Sequence, residues 1–261
     1  MDIFTLERGT APLLVSLPHD ASAIPDDIAA RMHPRARTAP DTDWHVGLLY
    51  AFARELGASV IRPHWSRYVV DLNRPPDGHA LYPGQRGTGL VPEVMFDDHP
   101  IYLDGQEPDT DEVAARVDTF WRPYHRALED ELARLHAEHE RVVLWEGHSI
   151  RAQVPMLFEG RLPDFNLGTA DGASCRPVLR QALDDVLEAQ SAYSHVLDGR
   201  FKGGYITRHY GDPDAGIDAV QLELAQVNYM DEDTFDYLPE RAEPVQAVIR
   251  KLLETCLAQT P

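Results

Sequence analysis

The 261-residue chain has only two cysteines, Cys175 and Cys256. Two cysteines make neither a disulfide framework nor a cysteine-based zinc site, and a reducing cytoplasm is the expected compartment. It is also short of bases. Lys and Arg number 24 against 43 acids, a formal charge of −19. Such a surface repels phosphate backbones, so nucleic acid is not an expected partner. An anionic substrate would need local positive charge, from arginines or a metal. No uncharged apolar run approaches membrane-spanning length, and the first eight residues, MDIFTLER, lack a basic region followed by an apolar one. No membrane partner is expected, and oligomeric state is not legible. The common motifs are missing too: no P-loop, no Gly-x-Gly-x-x-Gly, no Gly-x-Ser-x-Gly elbow and no His-Glu-x-x-His. Neither cysteine has a recognisable catalytic context.

What is present reads as α/β. With 43% hydrophobic and 26% charged residues, the chain suits one domain over 1–261. Continuous apolar runs at 13–17, 59–61, 68–70, 141–145 and 219–224 predict buried strands, and 202–208 predicts a glycine-preceded one. Helices are expected at 24–32, after Asp43 as N-cap, from Asp109 or Thr110 with a break at Pro123, at 178–189 and at 244–257. Gly57 should stop the second of these. Strands alternating with helices imply a parallel or mixed sheet covered on both faces. Residues 75–108, rich in Pro, Gly and Asp, form a long loop or a lid. His125, His136 and His139 are expected on a solvated helix face.

Chemistry-bearing residues gather near strand ends. Arg67 and Arg74 bracket the run at 68–70, with Asp71 and Asn73 beside the second. Guanidinium forks there suit a carboxylate or an oxyanion, or are ordinary surface arginines. His19 and His148 each follow a buried strand, with Asp41, Asp43 and His45 between them in sequence. A catalytic zinc needs three His or Asp/Glu ligands and an open position; the alternative has each histidine bonding a nearby carbonyl or carboxylate. Glu223 points opposite to its leucine neighbours in Gln-Leu-Glu-Leu. Facing a pocket, it would be a desolvated general base; facing water, an exposed charge.

Taken jointly, several motifs resemble the N-formylglutamate deformylase (N-formylglutamate amidohydrolase) family. They are Ser16-Leu-Pro-His19, Asp41-Thr-Asp-Trp-His45, Ser66-Arg-Tyr-Val-Val-Asp-Leu-Asn-Arg-Pro-Pro76, Tyr82-Pro-Gly84, Trp145-Glu-Gly-His-Ser149, Gly168-Thr-Ala-Asp-Gly172, Gly203-Gly-Tyr-Ile-Thr-Arg-His-Tyr-Gly211 and Gln221-Leu-Glu223. The resemblance implies a three-layer α/β/α, phosphorylase/hydrolase-like fold with a mixed sheet, akin to zinc carboxypeptidases and aspartoacylases. It implies hydrolysis of N-formyl-L-glutamate to formate and L-glutamate in histidine degradation. Arg67 to Arg74 also resembles the Arg…Asp-Leu-Asn-Arg segment of aspartoacylases. By that likeness Asn73 and Arg74 hold a substrate carboxylate and Arg67 stabilises an oxyanion. The likeness also implies that His19 and His148 are metal ligands and that Glu223 is the base that activates water. The chain departs from the carboxypeptidase His-x-x-Glu pattern, since position 22 is Ser. The second ligand is then Asp43 first, with His45 and Asp41 as alternatives.

Arg208 is a candidate for the second carboxylate of a dicarboxylate substrate, or forms a surface salt bridge. The cofactor implied is one Zn²⁺ per chain, with another divalent ion possible. Two rival readings stand beside the deformylase. One is a deacylase of another N-acyl acidic amino acid; the other is a non-catalytic binder of such compounds.

Overall fold

The computed structural model describes residues 2–79 and 86–260. In chain order the elements are β1 (Phe4–Glu7), β2 (Leu13–Ser16), α1 (Asp26–Ala29), α2 (Val46–Leu49), β3 (Ser59–Pro63), α3 (Thr110–Arg116), α4 (Arg122–Glu138), β4 (Val142–Ile150), β5 (Phe165–Gly168), α5 (Pro177–Glu188), β6 (His195–Leu197), α6 (Tyr205–Tyr210), β7 (Ile217–Ala225) and α7 (Pro239–Ala258). The strands form one sheet in the order β1-β3-β2-β4-β7-β5-β6. Pairings β1–β3 and β5–β7 are antiparallel; the rest are parallel.

Successive side chains of a strand alternate between faces, and here each face finds its own cover. Leu13, Val15, Val143, Trp145, Val220, Leu222 and Leu224 pack in one core with Leu179 and Leu183 of α5 and Ile249 and Leu252 of α7. Leu14, Val142, Leu144 and Ala219 pack in another with Leu128, Leu132 and Leu135 of α4. Each such fully buried aliphatic side chain contributes about 1.5–3 kcal/mol. The result is the expected mixed sheet between two helical layers.

On the second face the alternation continues past Leu144 and Ala219 into Glu146 and His148 of β4 and Gln221 and Glu223 of β7, all buried. The apolar layer gives way to a polar one at the carboxyl ends of parallel strands, where open α/β sheets place ligands.

Several local expectations need correcting. Residues 67–69 form a turn, not a strand. Their β-branched and aromatic character reflects burial: the Val69 amide bonds Ser66 O at 2.9 Å, and the Arg116 guanidinium caps Val69 O at 3.1 Å. Where the sequence predicts a strand over 202–208, the chain forms helix α6 from Tyr205 to Tyr210. Asp43 caps no helix; His45, in the left-handed region at φ 64°, precedes α2. His125 is buried rather than solvated, stacked 3.6 Å from Trp121 and bonded to Leu72 O and Tyr210 Oη. Strands β1, β5 and β6 are additional to those read from the sequence.

Other expectations hold. Asp109 accepts the Glu112 amide at 2.8 Å and caps α3. Gly57 ends its helical segment at φ 76°. Pro123 follows a π-turn over Val117–Trp121, which divides α3 from α4. In the 75–108 stretch, Leu90, Met95, Ile101 and Tyr102 are anchored in the second core. Tyr82-Pro-Gly84, within the segment read as a long loop or lid, lies outside the described residues.

Candidate active site

Three strand ends supply the centre. His19 lies just beyond β2, and His148 and Glu223 are direct register partners on β4 and β7. The loop before α2 supplies Asp43, whose amide bonds His19 O at 3.1 Å. The ligand atoms of His19, Asp43 and His148 all lie within 4.8 Å of one another, and all three residues are buried. Asp43 Oδ2 is 2.9 Å from His148 Nδ1 and 3.8 Å from His19 Nδ1, and it accepts the Ser149 amide at 3.1 Å. Of the sequence alternatives, Asp41 is turned to Tyr68 Oη (2.5 Å) and the Phe96 amide (2.9 Å). His45 bonds Phe235 O at 2.7 Å. Neither joins the cluster.

The far nitrogens of both histidines meet carboxylates. His19 Nε2 is 2.7 Å from Asp71 Oδ1, and His148 Nε2 is 2.6 Å from Glu146 Oε1. Protons held on those nitrogens turn both Nδ1 lone pairs inward, that of His148 toward Asp43 and that of His19 onto the Arg67 guanidinium, the arrangement of metal-binding histidines with carboxylate support. Four buried carboxylates (Asp43, Asp71, Glu146, Glu223) surround this pair against one equally buried guanidinium, Arg67. Uncompensated charge in such a place costs several kcal/mol per ion. The donor set therefore fits a divalent cation in both geometry and charge.

Titration follows the same charges. Burial raises the Glu223 carboxyl to about 8. Burial alone would depress His148, but Glu146 and Asp43 overcome it and lift the ring to about 10, a sign that the site favours a cation. Burial would raise Asp43 as well; Arg67 and its histidine hydrogen bonds instead hold it well below the usual carboxylate range. Asp71 behaves likewise, held low against burial by His19 and Arg74.

A cleft of about 250 Å³ opens beside the cluster, and His19, His148 and Glu223 line it. Arg67, Arg74, Arg86 and Arg200 line it too. Arg67 contacts His19 Nδ1, lies 3.4 Å from Asp43 Oδ1 and covers the Phe96 ring at 5.3 Å. Arg74 is held by Thr88 O, Thr88 Oγ1 and Asn73 O, each at 3.0 Å. Asn73 also borders the cleft, but its Oδ1 accepts the Ile206 amide at 2.9 Å and its Nδ2 lies 3.1 Å from His148 Nε2. Its Oδ1 thus anchors α6, while its Nδ2 sits beside the His148 ring. Gly204 makes this possible, because a Cβ there would come within 2.2 Å of Asn73 Nδ2. Arg208, the other sequence candidate, is exposed on α6, bonds Gly203 O at 2.9 Å and does not line the cleft.

Sequence reading assigned no role to Asp71, Glu146, Thr207, Gln221, Arg86 or Arg200. Glu146 was findable: it stands two residues before His148 on a strand, hence on the same face. No local signal marks Arg86 or Arg200.

Residues 11–230 match the family model described as N-formylglutamate amidohydrolase. The chain belongs to the N-formylglutamate amidohydrolase family. It is 52% identical to the N-formylglutamate deformylase of Pseudomonas aeruginosa over 98% of this chain and 97% of that one. It is 49% identical to the N-formylglutamate deformylase of Pseudomonas putida, with 98% and 96% covered. Its fold superposes on the crystal structure of N-formylglutamate amidohydrolase from Ralstonia eutropha JMP134 with a TM-score of 0.80 at 26% identity, covering 98% and 96%.

Proposed function

We propose that this amidohydrolase cleaves N-formyl-L-glutamate to formate and L-glutamate with the help of a divalent metal, zinc first. The observation that carries the reading is the buried His19–Asp43–His148 group with Glu223 abreast of His148, opening on an arginine-lined cleft. His19, His148 and Asp43 would hold the ion and leave a position open to the cleft. Bound there, it would supply Lewis acidity, making water a nucleophile near neutral pH and polarising the formyl carbonyl.

The chain's own groups do the rest. Glu223, more basic than a solvated glutamate because it is buried, takes the proton of the attacking water and returns it to the leaving amine. Arg67 reaches the same space and donates to the oxyanion that develops on the formyl oxygen. Arg74 binds one substrate carboxylate, and Arg200 or Arg86 the other. Four arginines on the cleft select a dianion on a protein of formal charge −19. Arg208 is set aside because the cleft does not include it.

A cytoplasmic setting accords with free, buried Cys175 and Cys256. No helix among the described residues is long and apolar enough to cross a membrane.

The test is formate release from N-formyl-L-glutamate by the purified protein, with chelator and then with zinc restored. Formate that stops on chelation and returns with zinc is the expected result. No formate from folded, zinc-loaded protein would sink the assignment. N-acetyl and longer N-acyl derivatives of Asp and Glu, run beside it, should turn over far more slowly.

A further inference from the structure

We propose that Glu146, clamped by Thr207, is the positioning residue that fixes His148 with Nδ1 toward Asp43, so that β4 and α6 together preorganise the metal site. The inference rests on the metal-dependent reading above.

Glu146 is a fully buried carboxylate with no ion-paired Lys or Arg among the described residues. Its charge is compensated by three donors. Oε1 meets the His148 ring at 2.6 Å; Oε2 accepts the Thr207 hydroxyl at 2.5 Å and the Thr207 amide at 3.2 Å. The proton between Oε1 and Nε2 determines the tautomer, because a neutral imidazole protonated on Nε2 must present a lone pair at Nδ1. Rigidity comes from the frame. Glu146 and His148 project from one face of β4, and their register partners on β7 are Gln221 and Glu223. Thr207 lies on α6, itself held by the Ile206 amide bond to Asn73.

The other ligand is braced less completely. Asp71 shares Oδ1 between His19 Nε2 and the Asn73 amide at 2.8 Å, its Oδ2 has no hydrogen bond, and it sits at the end of a turn rather than on a strand. Of the two supports, Glu146 is the one whose both oxygens are committed and whose backbone is locked in the sheet.

Glu146→Gln and Thr207→Val in the full chain test this. A glutamine amide must point its NH₂ group at either His148 or the Thr207 donors, so one contact turns repulsive. Valine keeps the volume of threonine and removes only the hydroxyl. Zinc dissociation constants, read by competition with a chromogenic chelator, should weaken about 10–100-fold for Glu146→Gln and less for Thr207→Val. With zinc loaded, kcat should fall while KM for N-formyl-L-glutamate stays within about twofold. A merely structural brace predicts something else: a lower melting temperature of the metal-free protein with unchanged zinc affinity, and that result would overturn the proposal. Should Glu146→Gln not fold, Thr207→Val decides, since unchanged zinc affinity there also overturns it. Wild-type protein that takes up no zinc would bring down the metal reading and this inference together. Normal wild-type uptake with unaltered variants would remove this inference alone.

Discussion

His148 and Glu223 lie abreast on β4 and β7, held by the ladder of a fully buried parallel pair. Arg74, Arg86 and Arg200 reach the same cleft from separate irregular segments, Arg74 and Arg200 tied down by carbonyls and Arg86 by the Asp98 carboxylate. The first half of the site inherits its geometry from strand register, in which a one-residue slip would turn every side chain to the other face. The second half inherits it from loop packing, which tolerates displacement and tuning. On the proposed reading the general base Glu223 and the ligand His148 sit on the rigid half, and recognition of the charged substrate ends sits on the adaptable one.

The comparison breaks or sharpens by substitution, and the largest effect belongs to the sheet. Glu223→Gln should lower kcat by about 10²–10⁴-fold, with KM within a few-fold and metal retained; steady-state kinetics with metal analysis reads this. Unchanged turnover would remove Glu223 as the base. Next comes Arg67→Lys, which keeps a charge but loses the planar fork. Its kcat should drop about 10²–10³-fold, the cost of one oxyanion donor. A change confined to KM would move Arg67 to the recognition half.

The loop half should answer differently. Arg74→Ala and Arg200→Ala should raise KM about 10–100-fold with smaller changes in kcat, the signature of lost uniform binding. Arg208→Ala should leave both constants within about twofold. A tenfold rise in KM for Arg208→Ala, with none for Arg200→Ala, would reverse the assignment of the second carboxylate.

The last effect is on stability. Burial raises the Glu223 carboxyl to about 8 in the folded chain, above the 4.5 of a solvated glutamate. Because the folded value is raised, the stability it contributes is full below about pH 4.5 and is lost as pH climbs through 8. Metal-free wild type should therefore lose melting temperature relative to Glu223→Gln between pH 5 and 8. Parallel curves would mean that Glu223 is not desolvated.

Much of this was legible beforehand, for identifiable reasons. Runs such as 141–145 and 219–224 announce strands buried on both faces, and the parity of Glu223 against Leu222 and Leu224 places it on the opposite side. His19 and His148 follow from the same logic, the first three residues past β2 and the second within β4. The turn at 67–69 misled because apolar, β-branched residues report burial whether or not a ladder partner exists. The 202–208 segment misled because a helix of six residues, wedged between Asn73 and β7, is held by tertiary contacts rather than by its own propensity.

The sequence by itself determined the α/β alternation, the two histidines and the glutamate at strand ends, and the polar chemistry they share, since each depends on the local period of a strand and its neighbours. Only the tertiary structure decided that Asp43 rather than Asp41 or His45 completes the cluster. It alone placed Asp71 and Glu146 behind the two rings, and Arg200 rather than Arg208 on the cleft. Those choices turn on which loop folds against which strand end, a matter of contacts between residues far apart in the chain that no local pattern records.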